Sequence, residues 1–433
     1  MTPGARLQAC IELIAELETA DRPAERVIAS YCRGRRYMGS GDRRAVADLT
    51  YRILRQWQAV DWAYGPEAPV PDARGRVLLA AALDDGGGLA GLEDLCAGGR
   101  YDPAPLTTDE RMRLTAALAR ADGMPDWARC NVPHWLAGDL AEAFGEGLAA
   151  EMNALNQSAP VDIRVNTMRS DRRAVAATLH DEGIDVVEAP LSPVGLRLPA
   201  RCPITDHALY RDGTVEVQDE GSQCAALLAD ARPGQTVIDA CAGGGGKTLA
   251  MAAAMAGRGR LIALDADAGR LARMEPRLAR AGLGDFVERV HVPPDAGADS
   301  STVLPAADRV LVDAPCSGTG TWRRDVDSRR RLTPKILDGL LQMQAVLLRA
   351  AAASVAPGGR LIYVTCSVLP AENERQVDRF LAGSGGFATL PVDDVWREAL
   401  GNMPPPQAGE TLRLTPASNG TDGFFVAILV RRA

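Results

Sequence analysis

The sequence predicts an α/β protein: a doubly wound parallel sheet with an antiparallel edge, preceded by a small α/β module and an N-terminal helical domain. Three observations predict it. From residue 233 onward, short apolar strands alternate with helical segments, beginning "QTVIDAC", "TLAMAAAMAG", "GRLIALDAD", "GRLARMEPRLARAG". Residues 131–225 repeat the alternation on a smaller scale, and residues 1–130 read as helices. With 433 residues, 46% apolar and 24% charged, the chain is globular in composition and too long for one ordinary domain.

In the first part, "LQACIELIAELE", "AERVIASYCR" and "DRRAVADLTYRILRQWQAVDWAY" are helical. The last carries Val46, Leu49, Ile53, Leu54 and Trp57 at helical spacing. Residues 65–110 are interrupted by Gly and Pro, with helical pieces such as "RVLLAAAL". In the middle part, "VPHWLAGDLAEAFG" reads as a helix, "VDIRVNT" as a strand and "DRRAVAATLHDEG" as a helix stopped by Gly183. "IDVVEAP" reads as a strand, and "TVEVQDEGSQCAALLAD" as a strand running into a helix. In the last part, strands "VERVHVP" and "DRVLVDAPC" precede a long helix from Thr333 as N-cap, through Pro334 at the first position, to Gly358 as its stop. Strand "GRLIYVTCS", helix "PAENERQVDRFLAG" and an antiparallel pair, "TLRLTP" and "GFFVAILVRR", close the chain.

Composition excludes several classes. No run of about 18 apolar residues occurs, so no membrane span is expected. Glu12, Glu16 and Glu18 interrupt the first apolar segment, which reads as an amphipathic helix rather than a signal peptide. A cytoplasmic location follows as the expectation, with nine reduced cysteines. No C-x-x-C pair is present, so neither a zinc site nor a disulfide framework is expected. The net charge of −8 weighs against a nucleic-acid partner only if it is evenly spread. The Arg-dense stretches 31–44 and 322–331 read as solvated helix faces or as RNA-facing patches. Of 48 basic residues only Lys247 and Lys335 are lysine, which sets Lys247, inside a glycine loop, apart.

Ligands of doubly wound sheets bind beyond the carboxyl ends of the strands, near the switch in strand order. Those ends here carry Asp239 and the loop after it, Asp265 and Asp267, Asp313 with Pro315 and Cys316, and Thr365 with Cys366 and Ser367. The loop "CAGGGGKT" allows three readings. A P-loop nearly fits, but Cys241 stands where its first glycine belongs. A dinucleotide loop requires G-x-G-x-x-G, which is missing. S-adenosylmethionine carries no phosphate and needs only close backbone approach, with Asp265 available for the ribose hydroxyls. Cys316 and Cys366 lie on strands expected to be near neighbours. The plain reading is two buried thiols; at strand exits facing a cofactor loop, the sharper reading is a nucleophile. One methylation needs such a group. Carbon 5 of cytosine becomes nucleophilic only once a thiolate adds at carbon 6, and a carboxyl group near ring nitrogen 3, for which Asp313 is the candidate, stabilises the charge that develops. A second thiol beside the first can assist release.

These residues resemble the Sun/fmu-type RNA cytosine carbon-5 methyltransferase family, and within it the bacterial ribosomal RNA small subunit methyltransferase B type. "DAPCSGTG" and "TCSVLPAENE" resemble the family's two cysteine motifs. "DACAGGGGKT" resembles its D-x-C-A-A-P-G-G-K-T cofactor loop, with Gly243 and Gly244 in place of Ala-Pro. "IRVNT", "VQDEGSQ" and "TDGFFVAIL" match as well.

The resemblance implies a Rossmann-like class I methyltransferase domain over 226–433 and an RNA-recognition-like module over 131–225. From "GSGDRRAVADLTYRILR" it implies a NusB-like RNA-binding domain over 1–130, shortened or degenerate after residue 83. It implies S-adenosylmethionine as cofactor, held by Cys241, Ala242, Gly243, Gly244, Gly245, Gly246, Lys247, Asp265 and Asp313. Asp295, in "VPPDAGAD", stands where the family has a third acidic contact. It further implies that Cys366 attacks the base, that Cys316 promotes release and that Asp313 orients the ring. The implied partner is RNA, 16S ribosomal RNA first, with Arg323 to Arg331 facing its backbone; no metal is implied and a monomer is expected. Transfer RNA as substrate, a P-loop NTPase and a non-catalytic RNA-binding factor stay open as alternatives.

Overall fold

In a computed structural model, which describes all residues except 66–69, 85–87, 199–201, 294–303 and 407–408, the chain forms two units. One comprises Met1–Gln157 with Trp322–Leu332, the other Ser158–Thr321 with Thr333–Ala433. The fold class expected from the sequence is present: helices first, then a small antiparallel sheet, then a large mixed sheet. Helices Ala137–Phe144 and Leu148–Leu155 lie in the first unit, and so does the Arg-rich segment after the first cysteine-bearing loop.

The first unit is helical from its start. Thr2 accepts a hydrogen bond from the Ala5 amide, and Pro3 occupies the first turn of helix Pro3–Thr19. Helix Thr108–Ala121 opens on a capping box, Thr107 with Glu110. Leu7, Leu13, Ile14, Val27, Ile53, Val60, Val77 and Leu114 form its core, and Val326 joins it from the second segment.

That segment corrects an expectation. The run Arg323–Arg331 does not as a whole face outward toward RNA. Arg329 is buried and donates to Asn131 O at 3.2 Å, Leu155 O at 3.1 Å and Asn156 Oδ1 at 2.6 Å. Arg330 donates to Leu17 O at 2.8 Å, and Arg331 to Asp325. Leu17 and Leu155 are in the last turns of their helices, where carbonyls have lost their i+4 amide donors and the helix dipole is negative. Arg329 and Arg330 therefore satisfy helix ends.

In the second unit, β1 (Val161–Val165), β2 (Val187–Glu188), β3 (Gly195–Leu198) and β4 (Val215–Val217) form an antiparallel sheet in the order β2-β3-β1-β4. Helix Arg172–Asp181 covers it, capped by Asp171 and ended by Gly183 at φ 76°. Ile163, Val165, Val175, Leu179, Leu196 and Leu198 are its core. β3 is not among the expected strands, and the expected strand "IDVVEAP" shrinks to two paired residues.

The large sheet contains β5 (Thr236–Asp239), β6 (Arg260–Asp265), β7 (Val287–His291), β8 (Ala307–Asp313), β9 (Val355–Thr365), β10 (Phe387–Leu390), β11 (Thr411–Leu414) and β12 (Phe424–Arg431). Its order is β10-β12-β9-β8-β5-β6-β7, with β11 on β12. The pairs from β7 to β9 are parallel, and β12 runs antiparallel to β9. β5 to β7 step one way and β8 to β9 the other, so the switch point is between β5 and β8. Helix Pro334–Ala353 starts at Thr333 as expected but stops at Ser354; Gly358, at φ 75°, lies instead within β9. This helix is the one described helix long and apolar enough to cross a membrane by length and composition. It packs against β8 and β9 through Leu348 and its neighbours.

Candidate active site

Parallel pairing of β8 with β9, with Asp313 opposite Val364, brings the two strand exits side by side. Cys316 and Cys366 leave those exits with their sulfurs 3.4 Å apart. The Ala314 amide donates to Val364 O at 2.9 Å and the Gly320 amide to Cys366 O at 3.0 Å, so the first loop is folded over the second cysteine.

A buried acid fastens both loops. Glu372, fully buried, accepts from the Ser317 amide at 2.8 Å, from the Ser317 hydroxyl and from Gln344 Nε2 at 3.0 Å. Gln344 also donates to Pro315 O at 3.0 Å. Asn373 Nδ2 donates to Ser367 O at 3.0 Å, and Thr365 Oγ1 donates to Asn373 Oδ1 at 2.6 Å. The Ser317, Thr319 and Ser367 hydroxyls complete the contact between the loops. Glu372 and Asn373 lie in the motif "TCSVLPAENE" without an expected role; two adjacent polar side chains just before an amphipathic helix are the signal that marks them.

The Cys316 thiol is pushed well above the ordinary thiol range, first by its hydrogen bond with Cys366, then by burial and by the charges of Cys366 and Glu372. Cys316 therefore keeps its proton. Lys247, second residue of helix Gly246–Ala254, donates to Asp313 Oδ2 at 2.7 Å. Burial alone would push this ammonium down; Asp313 outweighs it, and the pKa ends above the usual lysine value. Cys366 and Asp239 act in the same direction. A phosphate-binding lysine would face its glycine loop, whereas this one is committed to the end of β8.

The glycine loop leaves β5 at the switch point. Gly243 has φ 54° and Gly245 φ 84°, a left-handed backbone that side chains resist. The Gly243 amide donates to Asp265 Oδ2 at 2.7 Å, and the Asp267 amide to Asp265 Oδ1 at 2.7 Å. Ala242 is tied to β6 through Leu264 O at 2.8 Å. Cys241 is a free thiol pushed up by burial. Asp239, buried at the end of β5, accepts from Thr248 Oγ1 at 2.7 Å while its Oδ1 has no hydrogen-bond partner. Burial pushes its carboxyl up to about 7, against the Thr248 hydrogen bond, with Asp313 adding repulsion. Asp239, expected on the ligand rim but without a role of its own, lies beside the glycine loop with an unpaired carboxylate oxygen. Asp295 lies outside the described residues. Asp267 caps helix Ala268–Ala281 through the Arg270 amide, a local structural role.

The family described as 16S rRNA methyltransferase RsmB/F matches residues 226–430, and its ferredoxin-like domain matches 132–205. The probable ribosomal RNA small subunit methyltransferase B of Synechocystis sp. is 33% identical over 69% of this chain and 66% of its own length. That of Xanthomonas campestris pv. campestris is 32% identical over 90% of this chain and 89% of its own. Among solved structures, PH0851 is 25% identical with a TM-score of 0.75, covering 99% of both chains. A methyltransferase homolog from Pyrococcus horikoshii is 25% identical with a TM-score of 0.60, over 71% of this chain and 97% of that one.

Proposed function

The chain belongs to the 16S rRNA methyltransferase RsmB/F family, and from that premise we propose that it is an S-adenosylmethionine-dependent RNA cytosine carbon-5 methyltransferase acting on small-subunit ribosomal RNA. The observation that carries the chemistry is the pair of sulfurs 3.4 Å apart beside the Lys247–Asp313 ion pair. The solved relatives of similar fold and the family itself support the methyl donor.

The residues of the glycine loop fit that donor. Gly243 and Gly245 leave the backbone bare, Asp265 has carboxylate lone pairs to spare for ribose hydroxyls, and the unpartnered Asp239 Oδ1 can take a donor group. Cys241 to Lys247, Asp265 and Asp313 would hold it. When bound, it supplies an electrophilic methyl group for carbon 5.

The chain's own residues do the rest. Cys366, its thiol proton lost to solvent, adds as the thiolate to cytosine carbon 6, making carbon 5 enamine-like. Asp313, protonated when the base enters, gives its proton to ring nitrogen 3 as carbon 6 is attacked, so the ring carries no net negative charge; Lys247 holds the resulting carboxylate, which takes the proton back after methyl transfer. After transfer, carbon 5 loses its proton to water, the freed electron pair restores the 5,6 double bond, and the carbon 6–sulfur bond breaks. Cys316, which keeps its proton, donates it to the departing Cys366 sulfur. Glu372 and Asn373 hold the two loops at the required separation. The small antiparallel module and the N-terminal helices would contact the RNA, and an unpaired or extruded cytosine would be required.

Bisulfite sequencing of total RNA from a strain lacking this gene tests the reading. It predicts loss of a 5-methylcytosine from small-subunit ribosomal RNA. Loss from transfer RNA alone would move the substrate, and an unchanged pattern would end the proposal.

A further inference from the structure

Four consecutive glycines make a loop with unusually many accessible backbone conformations, and a binding loop that must be ordered by its ligand loses affinity. The loop Gly243–Gly246 is held from outside. Arg277, on helix Ala268–Ala281, donates from Nη1 to Gly244 O, and its Nη2 lies 3.4 Å from Glu216 Oε1 on β4. Glu216 is buried, and its other oxygen accepts from Arg280 Nη2 at 2.7 Å. Arg280 in turn stacks 4.1 Å over the Tyr210 ring. One turn before Arg277, Met274 closes against Gly245 and leaves no room there for a Cβ. A Cβ on Gly244 would meet Arg277 Nη1 at 3.2 Å and nothing else within 4 Å.

Where the motif this loop resembles has a proline, this chain has Gly244. We propose that Arg277 is the positioning residue that replaces the rigidity a proline would give. Its planar fork bridges the Gly244 carbonyl and Glu216, and so keeps the loop in the shape that receives the adenosyl cofactor. A lysine cannot span both partners at once. This inference rests on the S-adenosylmethionine reading of the loop.

The test is calorimetric titration with S-adenosylhomocysteine, together with amide hydrogen exchange on the ligand-free full chain. Arg277→Met is expected to weaken binding about tenfold, the size of one charge-assisted hydrogen bond lost. Exchange should quicken at residues 243–247 with β5 and β6 unchanged. Gly244→Ala in the Arg277→Met background should recover part of the affinity, because the Cβ then has space and restricts the backbone. Arg277→Lys keeps the charge and should also bind more weakly than wild type; it serves as the readout if Arg277→Met fails to fold. Wild-type affinity and loop exchange in the arginine variants would overturn the inference, as would faster exchange spread through the whole sheet. If the wild type itself fails to bind S-adenosylhomocysteine, the cofactor reading falls, while the ligand-free exchange comparison still decides whether Arg277 orders the loop.

Discussion

Cys316 and Cys366, 50 residues apart in the chain, place their sulfurs 3.4 Å from each other because β8 and β9 are adjacent and parallel. Its hydrogen bond with Cys366, and burial, hold the proton on Cys316, and in the proposed reaction Cys366 is the sulfur that attacks. Cys366→Ala should therefore abolish methyl transfer while leaving S-adenosylhomocysteine affinity within about twofold of wild type, since the cofactor loop lies on other strands. Calorimetry beside a tritiated-methyl transfer assay reads both quantities.

Glu372 ties the Ser317 loop to Gln344. Glu372→Gln keeps the shape but cannot accept both Ser317 donors and Gln344 as the carboxylate does. We expect kcat to fall about tenfold with KM for the donor little changed, the pattern of a misplaced reacting group. Equal activity in steady-state assays would remove Glu372 from the account.

Asp239 makes stability depend on pH. Its carboxyl lies near 3.8 when free and at about 7 in the folded chain, because it is buried. The folded state thus binds this proton more tightly, and the contribution to stability declines as pH rises from about 4 to about 7. Asp239→Asn removes that slope. Thermal unfolding of variant and wild type should diverge in favour of the variant between about pH 4 and about pH 7; a difference that does not change with pH would contradict the assignment.

Arg329 is a structural cation. Arg329→Met leaves Asn131 O, Leu155 O and Asn156 Oδ1 without this donor and should cost about 3 kcal/mol in the stability of the helical unit. RNA affinity of the folded fraction, and its dependence on salt, should stay as in wild type. A reduced salt slope with unchanged unfolding would return Arg329 to the RNA-facing role expected of it.

These contrasts show what was legible in the sequence. The neighbouring of Cys316 and Cys366 followed from strand–helix alternation, since each strand exit carries polar residues that a parallel sheet must gather on one rim. The meeting of the glycine loop with Asp265 followed from their places at the ends of two sheet strands. Glu372, Arg277 and Asp239 did not. Their roles consist of side-chain contacts between residues far apart in the chain, or of burial, and neither leaves a periodic mark. The arginine run misled for a related reason. Charge density is visible in sequence, but the helix-end carbonyls that consume it, those of Leu17 and Leu155, are not.

The central claim is that one thiol attacks and the other discharges. Cys316→Ala, Cys366→Ala and the double variant, each incubated with S-adenosylmethionine and small-subunit ribosomal RNA and run on a denaturing gel, test it most directly. The account predicts a slow-migrating protein–RNA adduct in Cys316→Ala alone, absent from Cys366→Ala and from the double variant. An adduct that persists without Cys366, or methyl transfer by Cys366→Ala, would contradict it.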